Sequence, residues 1–313
     1  MLVEEFRPHG NILVLPNKGE SDIRHAHERF RENVDEPDMI RRWVDGSPPA
    51  SVTVFFPDHN PRYLQHPQFS RMAEAFSVWA TATGDLRLPD ARQYGKVPTR
   101  KVYGEGSVPE ISGKGYTEQS SLQSERGEVA LLALWASWLG IPVDSYEPSH
   151  AALADGLKTQ KYGGSSRDNI FYYLIARNVR QVVRSIPNDI PTHLRQQHAQ
   201  EGINKKILLY QNALMNWQNF EFSLPHFLQI HTTNYPNRDL NLLDVNFFLS
   251  ETTHDVTKRP QTPIQYIAEM TSIYREDNAV RVFRNDLKEG CHVFGILGEP
   301  HRQRFGQELT RHF

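Results

Sequence analysis

The stretch CHVFGILGEPH, residues 291–301, decides how the rest of the chain is read. It opens as a strand-length run of apolar and small residues and stops abruptly at Gly-Glu-Pro-His. A short continuous apolar run closed by Gly and Pro is the pattern of a strand buried on both faces. Such strands belong to parallel sheets covered by helices. Four more runs of this kind precede it: NILVLP (11–16), SVTVFFP (51–57), RKVYG (100–104) and IPVDSYE (141–147). Between them apolar residues recur at helical spacing over 21–44, 66–83, 124–139, 166–185 and about 191–220. Strands alternating with helices predict an α/β fold, a mostly parallel sheet flanked by helices.

The span 187–262 departs from that alternation. It is rich in Asn, Gln and His, and it joins the helical INKKILLYQNALMNWQNF (203–220) to FSLPHFLQIHTTNYPNRDLNLLDVNFFL (222–249). It reads as a mainly helical insertion or cap within one α/β domain that takes up residues 1–313. After KRPQTP (258–263) a helical pattern resumes, with Ile264, Ile267, Ala268 and Ile273 on one face and Ala279, Val280, Phe283 and Leu287 on the next. That pattern leads directly into residues 291–301.

Composition narrows the function classes. A formal charge of -2 and a pI near 6.7 supply no broad positive field to hold a phosphate backbone, so no nucleic-acid partner is expected. The longest apolar stretch, VALLALWASWLG at 129–140, is too short to span a bilayer. The N-terminal MLVEEFRPHG lacks the basic segment and sustained apolar run of a signal peptide. Cys291 is the only cysteine, which rules out an intrachain disulfide and a thiolate-rich metal site. The expectation is a cytoplasmic protein without membrane attachment, acting on a small-molecule or peptide substrate.

In open parallel sheets ligands bind beyond the carboxyl ends of the strands, where loops and helix N-termini converge. That rule selects Asp58 and His59, Glu105 and Ser107, Glu147 and His150, and Glu299 and His301. A lone histidine at a strand end is most often a surface or capping residue, but His301 shares its topological position with the carboxylates Glu105 and Glu147. One imidazole with one or two carboxylates is a common zinc or hard-metal ligand set, and the same groups serve as acid and base. Two arginines open amphipathic helical segments, Arg167 in SSRDNIFYYLIARNVRQVV (165–183) and Arg275 in YREDNAVRVFRNDLKEG (274–290). An arginine so placed can clamp a carboxylate or phosphate, or a developing oxyanion.

Other motifs fall away on spacing. YGEGSVPEISGKG (103–115) matches neither the dinucleotide fingerprint nor the Walker loop, and Ser107 is not in a G-x-S-x-G elbow. His25 and His27 sit two apart in a helical pattern and point roughly 200° away from one another, so they cannot share an ion. His198, His226, His231 and His254 show no pairing in their spacing.

Four segments in order, GEGS (104–107), VDSYE (143–147), REDNAV (275–280) with RDNIF (167–171) as its competitor, and GEPH (298–301), form a wider pattern. In that order the chain resembles the superfamily that joins erythromycin esterases, ChaN-type haem-binding lipoproteins and the TraB/Tiki metalloprotease-like proteins. The similarity covers about residues 100–185 and 262–313. Its members place histidine where this chain has Ser107, a departure that removes an imidazole ligand or base. The resemblance implies hydrolysis of an ester or amide bond by metal-activated or His/Glu-activated water. Glu105, His301 and Arg275 would be the catalytic groups, Glu105, Glu147 and His301 the ligands of a divalent metal ion, and Ser107, Arg167 and His150 the substrate contacts. Two alternatives stand beside it: a non-catalytic binder of haem or a small metabolite on the same scaffold, and an interaction module using Tyr210, Trp217, Phe220, Phe222 and Phe227 of the insertion.

Overall fold

The computed structural model describes residues 28, 30–44, 50–59, 61, 63–84, 99–106, 116–124, 127–255 and 257–312. The expected strand at 11–16, the pair His25 and His27, and Ser107 lie outside the described residues. Two compact units emerge, Met1–Glu147 with Asn278–Phe313, and Pro148–Asp277.

Among the described residues, the first unit holds a six-stranded sheet. Its strands are β1 (Val34–Glu36), β2 (Met39–Val44), β3 (Ala50–Phe55), β4 (Arg100–Gly104), β5 (Val143–Ser145) and β6 (His292–Ile296), in the order β1-β2-β3-β6-β4-β5. β3, β6, β4 and β5 pair in parallel, and β1, β2 and β3 pair antiparallel. The expected α/β fold with a mostly parallel sheet is therefore the observed one. β6, the last strand in the chain, inserts between β3 and β4, with Phe55 level with Ile296 and Tyr103 level with Gly295.

One expectation is overturned. Residues 34–44, the end of the helical segment read over 21–44, are the antiparallel pair β1 and β2. Pro37 lies at the turn between them; inside a helix it would remove a hydrogen bond and clash with the preceding turn.

Both faces of the central strands are covered, as their unbroken apolar sequence requires. Helices α1 (Pro67–Gly84), α2 (Glu118–Gln123) and α3 (Gly127–Trp138) cover one face and pack on Phe55, Val102, Phe294 and Ile296. Phe76 meets Phe294 edge-on with ring centroids 5.2 Å apart, and it lies against Trp79 and Trp135. Burying a side chain such as Phe76 or Phe294 stabilises the unit by about 1.5–3 kcal/mol. The alternate residues Val52, Val54, Tyr103 and Val293 point to the other face and pack on Ala279, Val280, Phe283, Leu287, Phe305 and Leu309.

The second unit is helical: α4 (His150–Leu157), α5 (Arg167–Arg184), α6 (Thr192–Ala213), α7 (Leu224–Asn234), α8 (Val245–Thr252) and the part of α9 (Pro263–Lys288) up to Asp277. The helical segment anticipated over 187–262 lies within it. Its core is centred on Ile170, Phe171, Tyr172, Leu174 and Ile175 of α5. Tyr210, Trp217 and Phe227 are buried in that core, and Phe220 and Phe222 pack against it. From Asn278 onward α9 belongs to the first unit, which closes with β6 and α10 (Arg302–His312).

Candidate functional site

The carboxyl ends of β3, β6 and β4 are neighbours, so the loops leaving them lie side by side. Backbone pairing continues past the strands, with the amides of Leu297 and Glu299 donating to the carbonyls of Phe55 (3.1 Å) and Pro57 (3.2 Å). The β3 loop is held by Gln68 at the start of α1: its Nε2 donates to the Asp58 carbonyl at 2.9 Å and its Oε1 accepts the Asp58 amide at 3.1 Å. This two-point clamp sets the direction of His59, the next residue. On the β6 side a single 3₁₀ turn, Glu299–His301, closes with the His301 amide donating to the Gly298 carbonyl at 3.0 Å. That turn brings the His301 ring back over the strand end.

Glu105 follows β4 directly and reaches between the two imidazoles. Its Oε1 lies 3.6 Å from His301 Nε2 and its Oε2 lies 3.8 Å from His59 Nε2. The same Oε2 accepts the Gly298 amide at 2.7 Å, which holds the carboxylate between them. On its far side, His59 Nδ1 is in close contact with Glu128 Oε1. The result is an alternating chain, Glu128, His59, Glu105, His301. His59 is the open member, its side chain 48% exposed, against 5% for Glu128.

Glu128 comes from the first turn of α3, and a glycine is what lets that turn approach. A Cβ on Gly104, the last residue of β4, would stand 2.5 Å from Val129 Cγ1. From Val129 to Ala136 helix α3 is apolar and buried on all sides, and Glu128 is its only charged residue.

The structure brings together three of the residues named from sequence, His59, Glu105 and His301, and adds Glu128. His59 satisfies the strand-end rule, whereas Glu128 sits in a helix and falls outside it. Its visible signal is a lone charge opening a buried apolar run, which requires a polar partner. Glu147 lies two residues beyond β5, its amide donating to Ser145 Oγ at 3.0 Å. His150 is exposed at the start of α4, edge-on to Tyr210 at 4.9 Å. Arg167 Nη1 donates to the Gln218 carbonyl at 3.3 Å and the guanidinium stands over Trp217 at 5.7 Å, an arrangement internal to the second unit. Arg275 also belongs to the second unit, on α9. Arg302, beside His301, is taken up by the β1–β2 turn: it donates to Asp35 Oδ1 at 2.8 Å and to the Glu36 carbonyl.

A divalent ion needs donor atoms that draw together around one point. Among the described residues, the set of three with ligand atoms all within 4.8 Å of one another is Asp286, Glu289 and Cys291, and Glu105, Glu147 and His301 do not form such a set. The Asp286 group already holds a cation: Lys101 Nζ lies 2.6 Å from Asp286 Oδ1 and 3.9 Å from Glu289 Oε2. The Tyr103 hydroxyl donates to Asp286 Oδ2 at 2.7 Å, and burial followed by that hydrogen bond pushes its pKa up. Burial likewise raises the Cys291 thiol, keeping it protonated and a poor ligand. This cluster reads as an ion pair that ties β4 to α9.

Comparison with protein-family models, with curated proteins and with solved structures finds no match for this chain.

Proposed function

We propose that the chain is a hydrolase of ester or amide bonds in which water is activated by the His59–Glu105–His301 group. The observation that carries this reading is one carboxylate set between two imidazole Nε2 atoms, at 3.6 and 3.8 Å, above adjacent parallel strands. A neutral imidazole accepts a proton from water as hydroxide adds to the substrate carbonyl carbon, and Glu105 stabilises the imidazolium that forms. The second imidazole, protonated, delivers a proton to the leaving alcohol or amine. The resemblance to the erythromycin esterase and TraB/Tiki superfamily points to the same chemistry. A divalent ion on Glu105, Glu147 and His301 is the competing route: the donor types suit it, while their atoms do not draw together.

The test is a panel of activated esters and peptide amides assayed with wild type, His301→Ala and Glu105→Gln, each with and without a chelator. The expected outcome is wild-type turnover that survives chelation and falls about 10²–10⁴-fold in both variants. Loss of turnover on chelation, restored by added metal, would assign the metal route. No turnover by the wild type, or full turnover by His301→Ala, overturns the proposal.

A further inference from the structure

The geometry points to Glu128 as the positioning residue of this site, the group that turns His59 so that its Nε2 faces the substrate side. The assignment rests on the hydrolase reading for its purpose, and on geometry alone for its existence. Three observations support it. Glu128 Oε1 contacts His59 Nδ1, so a neutral His59 carries its proton there and leaves Nε2 as the acceptor. Glu128 is buried behind His59, out of reach of a substrate, so it acts through the imidazole. Its second oxygen, Oε2, is buried and has no hydrogen-bond partner among the described residues.

The third observation separates a positioning role from a structural one. A buried carboxylate kept for stability has its oxygens satisfied, because an unpaired one leaves a desolvation penalty unopposed. Glu251 in the second unit shows the satisfied form, accepting from Tyr235, Thr262 and Gln265. Among the described residues Glu128 has one partner, His59, and that partner is the most open member of the site. An apolar side chain of equal length would suit the surroundings of α3 better and would leave His59 unoriented.

The experiment reads the tautomer of His59 by long-range proton–nitrogen correlation, above the pH at which the ring titrates. The resonance is assigned among the 14 histidines by its loss in His59→Gln. Wild type is expected to carry the proton on Nδ1. Glu128→Gln, whose amide oxygen still accepts, keeps that tautomer, and Glu128→Met shifts it to Nε2. On substrate, kcat falls about 10²-fold in Glu128→Met and less than about tenfold in Glu128→Gln, with KM unchanged. The melting temperature of Glu128→Met equals or exceeds that of wild type. An Nε2–H tautomer in wild type overturns the assignment without any variant. An unchanged tautomer or full turnover in Glu128→Met overturns it as well. If no ester or amide is turned over, the hydrolase reading falls and the tautomer measurement still decides the role of Glu128.

Discussion

A Cβ built on Gly298 would stand 2.4 Å from His59 Nε2 and 3.3 Å from Glu105 Oε2. The backbone there has φ -56°, which any residue adopts, so the demand for glycine is one of space alone. Because His59 is half-exposed, an added methyl group displaces the ring rather than the core. Gly298→Ala should therefore cost at most about 1 kcal/mol of stability while turnover drops at least about tenfold, since small displacements of a catalytic group are costly. Calorimetry and the ester assay on one preparation check this, and full turnover would remove His59 from the site. At this scale Glu105 and His301 were legible in the sequence, because each directly follows or closely trails an apolar run whose end marks the sheet edge. For Glu128 the lone charge in an apolar run was visible but its role was not, because its partner is 69 positions away and nothing local to α3 names that partner.

The glycine at the end of β4 acts on elements rather than on atoms of the site. Val129 Cγ1 occupies the place of a side chain at Gly104, and both residues are buried where α3 meets the sheet. Gly104→Ala should destabilise the first unit by about 1–3 kcal/mol, the usual cost of overfilling a packed contact. Adding Val129→Ala should recover part of that loss, so that the two substitutions are non-additive in a urea-denaturation cycle. Simple additivity would mean that the two elements are not in contact as described. The hairpin β1–β2 teaches the complementary lesson. Residues 34–44 carry scattered apolar side chains that fit a helical period, yet Pro37 forces a turn, β1 folds back onto β2, and β2 pairs with β3. Arg302 of α10 and Arg71 of α1 then fasten the acidic turn, Arg71 to Glu36 and Asp38 at 2.6 and 2.7 Å. The Arg302 contact joins residues 267 positions apart, so no window of sequence announces it.

Each unit has its own core and its own buried polar groups, and the second should respond to pH through His231. That ring is buried, with Nε2 donating to the Arg238 carbonyl at 3.1 Å and Nδ1 accepting from the Tyr172 hydroxyl at 2.7 Å. The neutral ring is thus fully satisfied, and burial holds its pKa below the ordinary value of 6.5. The unfolded chain therefore takes up the proton first as pH falls, so the stability contribution is complete above about pH 6.5 and is lost below it, by at most about 1.4 kcal/mol per pH unit. Melting curves of the full chain from pH 7.5 to 5 should show this decline, and His231→Gln should flatten it; an equal decline in that variant would place the titrating group elsewhere. By itself the sequence determined where strands and helices alternate, which strand ends are polar, and that α9 carries two apolar faces in succession, Ile264, Ile267 and Ala268 and then Ala279, Val280, Phe283 and Leu287. These are local properties, written in side-chain period and in Gly and Pro punctuation. Only the tertiary structure decided that β6 enters between β3 and β4, that the two stretches of α9 serve separate cores, and that Glu128, His59, Glu105 and His301 form one chain. Strand order and long-range pairing depend on which buried surfaces fit together across the whole fold, and periodicity along the chain carries no record of that choice.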